Sequence, residues 1–487
     1  MRVRTVLYLC GYVLLYLSFA MAVPLLVAMW DHDGLRVPFS FTLVMTMLVA
    51  WLLLSAGRPP GQVSIRESYA VVTLSWFLAA FFSALPFYLS GAVPVYADAF
   101  FEATSGLTTT GATVFTDVES LSRALLLWRA LLHWLGGMGI VVLFVAVFPR
   151  LGASAGYLLA AEAPGPLTAA LTPRIAQTAK VLWLLYIALT AALIVLLNYL
   201  GMPYFEAVAH AFATVATGGF STRNAGIAAF ASPEIEWVLI VFMFLAGGNF
   251  LIYYHLLCGN LCRVIDDREA RFYLLFVLTA AALVFLGLLA ARFPVANTLR
   301  HAFFQVTSIV TTTGFYSTDY TQWPFFTQAV LLLLMFSGGC GGSTGGGVKQ
   351  IRLLVTGKFL MREVKKSSRP REIIPLILGE ELFSSAVVNR IVAFVCLYFL
   401  LVAATVLYLT ACGSDMVTAL SVAASAQGNI GPSLAAVGPA ESYSFLPQGA
   451  KTWLACIMIA GRLELYTVFS LLLPGKGTRR SYRRHSG

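Results

Sequence analysis

Long apolar runs and short polar breaks alternate along all 487 residues. Ten runs approach 20 residues, the length of a helix that crosses a bilayer core of about 30 Å. They lie near 5–29, 38–56, 69–91, 124–148, 180–201, 236–258, 272–292, 326–348, 390–412 and 450–473. Between them stand four half-length segments, each closing on one glycine: T-S-G-L-T-T-T-G at Gly111, A-T-V-A-T-G-G at Gly219, T-S-I-V-T-T-T-G at Gly314 and A-S-A-Q-G-N-I-G at Gly431. Ser105, Ala213, Ser308 and Ser425 each precede their glycine by six residues, so the four segments align without a gap. A fourfold repeat of apolar segment, polar hairpin and apolar segment is what one chain needs to place four loops around an axis. The pattern predicts an all-α polytopic membrane protein with four pseudo-symmetric helix–pore loop–helix units around a central pore, preceded by two N-terminal helices.

The units are expected at 67–150, 174–265, 268–366 and 385–475, after a two-helix addition over 1–66 and before a basic tail over 476–487. Their short pore helices should begin around Val95, Tyr204, Asn297 and Asp415. Each second run carries glycine in its middle: Leu135-Gly136-Gly137-Met138, Ala246-Gly247-Gly248-Asn249, Ser337-Gly338-Gly339-Cys340 and Ala460-Gly461-Arg462-Leu463. Glycine in a helix interior costs about 1 kcal/mol relative to alanine, so close helix packing or a bend lining a cavity must compensate. In the third unit, Gly338 to Gly347 holds seven glycines in ten residues, including Gly339, Gly341, Gly342, Gly345 and Gly346 beside Ser343 and Thr344. No helix survives that composition. Irregular backbone at membrane depth needs protein or a water-filled cavity around it, which predicts a loop over 337–347 projecting into the pore. The stretch Gly342 to Lys349 does not meet a phosphate-loop pattern, since Val348 separates Gly347 from Lys349 and no Ser or Thr follows.

Charged residues are only 11% of the chain, against roughly 25% in a soluble domain. Placing both termini and alternate loops on one face collects 24 of the 32 Lys and Arg there, leaving seven on the other face and Arg462 inside a run. That asymmetry predicts cytoplasmic termini and outward glycine hairpins. The net charge of +10 is concentrated beside predicted spans, at Lys349–Arg371 and Arg479–Arg484, which points to membrane lipid headgroups or an acidic cytosolic partner and not to nucleic acid. The first run is long and lacks a clear cleavage site, so it reads as a retained helix. Seven scattered cysteines show no paired metal-ligand spacing. His133, His210, His255 and His301 raise a haem-carrying alternative, but they fall at unmatched depths, and no catalytic constellation or organic cofactor motif is present.

A cation leaving water needs replacement oxygen ligands, which a ring of backbone carbonyls provides without fixed charge. Aiming consecutive carbonyls at one axis demands backbone angles that glycine reaches freely. Gly111, Gly219, Gly314 and Gly431 are therefore the expected filter and K⁺ ligands, with carbonyl rings from Thr110, Gly218, Thr313 and Ile430, then from Thr109, Thr217, Thr312 and Asn429 below. Each pore helix also turns its partially negative end to the axis. Asp98, Glu102, Asp117, Glu119 and Asp319 stand near the outer mouth, either as a cation-concentrating field or as solvated loop charges. Arg462 at bilayer depth is costly and sets a barrier to cations or pairs with a carboxylate such as Glu464 or Glu380.

These residues resemble the Trk/Ktr/HKT superfamily of potassium transporters over about 67–475, and the G-G-C-G-G-S-T-G-G-G stretch with two extra N-terminal helices resembles its TrkH type. The resemblance implies K⁺ uptake across the cell inner membrane, four K⁺-binding glycines, and an intramembrane gating loop near Arg462. It implies a homodimer gated by a cytosolic, nucleotide-binding TrkA-type ring. All four filter positions are glycine, whereas relatives with serine at the first position prefer Na⁺; a Na⁺-permeable or Na⁺-coupled transporter of the same superfamily is the alternative. Ser433 departs from the glycine usual in N-I-G-P-G.

Overall fold

The computed structural model describes residues 2–59, 63–139, 175–372, 374–378 and 381–472. The expected end of the first unit, Glu380 and the basic tail lie outside them. Among the described residues, six unbroken helices are long and apolar enough to cross a membrane: Val3–Asp31, Arg36–Ala56, Ile65–Leu89, Lys180–Tyr199, Arg268–Ala290 and Ser385–Ala411. Side chains such as Trp30, Tyr199 and Phe325 are more than four-fifths exposed, an arrangement that suits lipid and not water. The chain is a multi-pass membrane protein.

Two expected spans are bent instead of straight. Pro233–Gly247 meets Phe250–Leu257 at 98°, and Gln448–Arg462 meets Leu465–Leu471 at 116°. A third, expected over 326–348, is helical only over Phe325–Leu334, after which the glycine-rich segment leaves the helix until Gln350–Ser368 begins. A helix cannot pay backbone entropy at so many glycines.

Polar side chains start the helices where the sequence turns apolar. Ser64 accepts from the Glu67 N–H at 3.3 Å while Glu67 accepts from the Ser64 N–H at 3.0 Å, a reciprocal cap on Ile65–Leu89. Ser122, Ser232, Asp267 and Ser384 likewise cap helices at 123, 233, 268 and 385. The first two helices pack antiparallel, close enough that a Cβ on Gly11 would stand 2.9 Å from the Leu54 side chain. Arg2 ties this pair to the following helix through the Glu67 carboxylate at 3.1 Å.

The remaining chain repeats one theme four times: a long helix, a short helix, a glycine turn and a second helix. The short helices are Tyr96–Leu107, Tyr204–Val215, Val295–Val310 and Met416–Gly428. They bring four turns to one centre. The only strands among the described residues, Ile377–Leu378 and Glu381–Leu382, form a small antiparallel ribbon away from it.

Candidate permeation site

Each short helix ends in the same backbone sequence. A left-handed residue follows the helix: Thr109, Thr217, Thr312 and Asn429, with φ of 54°, 53°, 59° and 55°. Two residues later stands a left-handed glycine: Gly111, Gly219, Gly314 and Gly431, with φ of 81°, 81°, 79° and 99°. Between them, the N–H of Thr110, Gly218, Thr313 and Ile430 donates back to the carbonyl of Ser105, Ala213, Ser308 and Ser425 at 2.9, 2.7, 2.8 and 2.9 Å. Left-handed threonine costs about 1–3 kcal/mol, so its recurrence at three equivalent places requires strong surrounding support.

The four glycines and four carbonyls close into a ring. A Cβ built on Gly111 would fall on the Gly218 carbonyl oxygen, one on Gly219 on that of Thr313, one on Gly314 on that of Ile430, and one on Gly431 on that of Thr110. The cycle returns to its start after four steps. No side chain fits at any of these glycines, and the oxygens are brought to the centre that the short helices share.

Buried anchors hold the ring from behind. In the first unit Glu102, expected at the solvent-facing mouth, is instead fully buried and pairs with Arg129 at 2.8 Å. It also accepts from the Val114 N–H at 2.9 Å, while Arg129 donates to Ser221 O at 3.2 Å and lies 4.0 Å over the Phe220 ring. One pair thereby fastens the strands after two glycines. His133 Nδ1 donates to Gly106 O at 2.8 Å and its Nε2 accepts from the Phe220 N–H at 3.2 Å. His210 uses Nδ1 on Glu206 O and Nε2 on Ser221 Oγ, and His301 Nδ1 meets Ser317 Oγ at 3.0 Å. These three rings are engaged by backbone and hydroxyl groups that fix the turns around the glycines.

In the fourth unit, Ser425 Oγ and Tyr443 Oη both donate to Gly431 O, at 2.8 and 2.6 Å. Ser433 is part of the scaffold: its Oγ donates to Val437 O at 2.8 Å and its carbonyl accepts from Tyr320 Oη at 3.0 Å. Near the mouth, Asp98 is paired with Lys451 at 2.7 Å. Asp117 accepts from the Asn224 amide at 2.7 Å, which holds its carboxyl below the usual range.

The mid-run glycines serve packing and bending together. Gly136 lies against Leu107 O, Gly247 against the Thr311 side chain and Gly461 against Gln427 O, each too close for a Cβ. Each thus admits a neighbouring helix to the end of a short helix. Two of the breaks follow immediately, at Gly248 and at Leu463.

The glycine-rich segment lies directly beneath the ring. Thr344 Oγ1 bonds Val215 O and Ala246 O, both at 3.1 Å, and Thr217 Oγ1 at 3.3 Å. The Gly346 N–H donates to Thr312 Oγ1 at 2.7 Å, and Gly346 packs on Gly428 O and Asn429. Cys340 donates its N–H to Gly247 O at 2.8 Å. Gly338, Gly342 and Gly347 have φ of 84°, 76° and 73°, so the curl of the segment needs their freedom.

Two cations close the arrangement. Arg462 Nη1 donates to Thr344 O, and Nη2 to Gly136 O and Gly137 O at 2.7 Å each. Its suggested partner Glu464 pairs with Arg352, which lies 3.8 Å over the Phe394 ring. Lys349, assigned from sequence to a solvent-side loop, is 1% exposed and donates to Gly345 O and Ser343 Oγ. Its position two residues after Gly347, directly behind the glycine run and next to the buried Val348, is the signal that points to burial.

The family described as "TrkH: Cation transport protein" matches residues 37–474. The chain is 37% identical over 480 residues to the "Trk system potassium uptake protein TrkH" of Salmonella typhimurium, covering 97% of this chain and 99% of that protein. It is 38% identical over 480 residues, with the same coverage, to the TrkH of Halomonas elongata and 34% identical over 481 residues to the Trk system potassium uptake protein TrkG of Escherichia coli, covering 96% of this chain and 98% of that one. Its structure is similar to a crystal structure of the potassium transporter TrkH from Vibrio parahaemolyticus, with a TM-score of 0.88, 34% identity, and 97% and 99% of the two chains covered.

Proposed function

The chain belongs to the TrkH family of cation transport proteins, and on that premise we propose that it takes up K⁺ across the cell inner membrane through the glycine ring. The observation that carries this reading is the cyclic contact of Gly111, Gly219, Gly314 and Gly431 with the carbonyls of Gly218, Thr313, Ile430 and Thr110. Those oxygens replace the hydration shell of the entering ion, and the C-terminal ends of four short helices add negative potential at the same centre. K⁺ is the cargo, and the chemistry is passage and not catalysis.

The segment 337–347 with Arg462 is the gate beneath this filter. It contacts the ends of the second, third and fourth short helices and, through Arg462, the inner helix of the first. A guanidinium at that depth repels a permeating cation, and loop carbonyls hold it there. The basic helix Gln350–Ser368 leads from the loop, which makes it the natural handle for a cytosolic TrkA-type nucleotide-binding ring. The concentration of Lys and Arg in alternate loops supports cytoplasmic termini, and the family resemblance supports a homodimer with one pore in each subunit.

Flux of K⁺, Rb⁺, Na⁺ and Li⁺ into proteoliposomes tests the reading. K⁺ and Rb⁺ should pass best. Equal passage of all four ions, or Na⁺ ahead of K⁺, would replace it with the Na⁺-permeable alternative.

A further inference from the structure

A carboxylate that plays no part in the pathway above grips the glycine-rich segment from the side. Glu269, 6% exposed, is the second residue of the helix Arg268–Ala290. Its Oε1 accepts from the Gly341 N–H at 2.6 Å and from the Ile351 N–H at 3.1 Å. Gly341 lies within the glycine run and Ile351 in the first turn after it. One oxygen atom therefore fastens both limbs of the loop to an outer helix.

Steric fit does not force this approach. A Cβ on Gly341 would still be 3.6 Å from both carboxylate oxygens, so the hydrogen bonds themselves hold the backbone there. One turn along the same helix, Tyr273 donates to Phe244 O at 3.1 Å and stacks on the Phe244 ring at 4.6 Å. That contact sits beside Gly247, whose carbonyl accepts from Cys340 of the same loop. The outer helix thus supports the loop directly through Glu269 and indirectly through the bent helix of the second unit.

We propose that Glu269 is the positioning residue of the gate, a clamp that keeps the two limbs of the glycine run together and must release them for the loop to move. A run of glycines has the largest backbone entropy to lose, so a closed loop needs fixed acceptors. The one side-chain oxygen in the first turn of the outer helix accepts from both limbs at once, a role that an acceptor oxygen at this position can fill without a charge. Removing the acceptor leaves two buried N–H groups unpaired in the closed arrangement, whereas water satisfies them once the loop moves.

This inference rests on the gate reading, and two readouts separate them. The first is K⁺ flux in proteoliposomes without a cytosolic partner. The second is the reaction of Cys340, buried within the loop, with a charged water-soluble thiol reagent in a background where the other six cysteines are replaced. Glu269→Ala should raise both rates on the order of tenfold. Glu269→Gln, which keeps an acceptor oxygen, should stay near the parent, and that rescue is not expected of a residue with only a bulk structural role. Should the alanine variant fail to reach the membrane, Glu269→Asp shortens the reach and should shift both rates the same way. If Arg462→Ala speeds both readouts while Glu269→Ala and Glu269→Asp change neither, the clamp is wrong and the gate stands. If no variant changes either readout, the gate reading falls and the clamp with it.

Discussion

Arg462 and Thr344, 118 residues apart, meet directly beneath the glycine ring, where the guanidinium donates to the Thr344 carbonyl. The same side chain reaches Gly136 and Gly137 at 2.7 Å. Three carbonyls from two different units thus solvate a charge that lipid would not tolerate. The contact makes the position of the third unit's loop depend on the first and fourth, so the loop cannot shift without disturbing the centre of the molecule.

The ring itself is the first place to test. Gly111 has a φ of 81° and no room for a Cβ against the Gly218 carbonyl. Gly111→Ser must therefore displace a carbonyl that the proposed filter uses. The K⁺ to Na⁺ flux ratio should drop by about tenfold, equivalent to about 1.4 kcal/mol of lost discrimination. Gly314→Ser, packed on the Ile430 carbonyl, should behave alike. A ratio unchanged in both variants would show that these glycines do not select the ion.

The Glu102–Arg129 pair should matter more for integrity than for charge at the mouth. Both side chains are buried, and together they hold Val114 and Ser221 behind two adjacent strands of the ring. Arg129→Met leaves a buried carboxylate uncompensated, which typically costs about 3–5 kcal/mol. The detergent-solubilised variant should melt well below the parent. Glu102→Gln retains acceptor and donor atoms and should be milder. Equal melting temperatures for the parent and Arg129→Met would place the pair outside the support of the filter.

Much of this architecture was legible because it is local and repeated. The six-residue interval from Ser105, Ala213, Ser308 and Ser425 to a glycine encodes one turn geometry, and that turn recurs with nearly the same φ values. The ends of the short helices were readable for the same reason. What escaped was set by contacts between distant parts of the chain. Asp98 and Lys451 are 353 residues apart, and no local pattern marks them as partners. Glu102 looked like a mouth charge because its burial depends on Arg129 arriving from another helix. Lys349 was placed outside because lysine is rarely buried, yet the glycine run offers it the carbonyl of Gly345 and the hydroxyl of Ser343. Hydropathy alone draws the runs at Gly248 and Leu463 as continuous, and it was the mid-run glycines that marked them for packing or a bend, of which the structure shows both.

The proposed docking of a cytosolic partner has its own test. Lys365 and Lys366 lie in the last turn of Gln350–Ser368 and are exposed. Charge reversal of both, Lys365→Glu with Lys366→Glu, should weaken co-purification with the nucleotide-binding ring, and the difference from the parent should shrink as salt rises, as expected for a contact between exposed charges. Partner-free K⁺ flux should remain at the parent level. Unaltered co-purification together with an unaltered nucleotide response would move the contact elsewhere.

The gate reading makes the most exposed prediction. In the closed arrangement the loop is held by donors that converge on consecutive carbonyls, Arg462 on Thr344 and Lys349 on Gly345. Arg462→Ala removes the cation and its three carbonyl contacts, so partner-free K⁺ flux should rise by about tenfold or more. Lys349→Met removes the second cation while keeping its apolar stem, and should raise flux in the same direction by less. Because both act through one short segment, the double variant should fall short of the product of the single effects, as expected for residues that share a structural element. Shortening the run between Gly341 and Gly346 should open the path independently of either cation. The order of K⁺, Rb⁺ and Na⁺ passage should survive in every case, since the glycine ring above is untouched. Flux at the closed level in Arg462→Ala, Lys349→Met and the shortened loop alike would mean that this segment does not block the pathway.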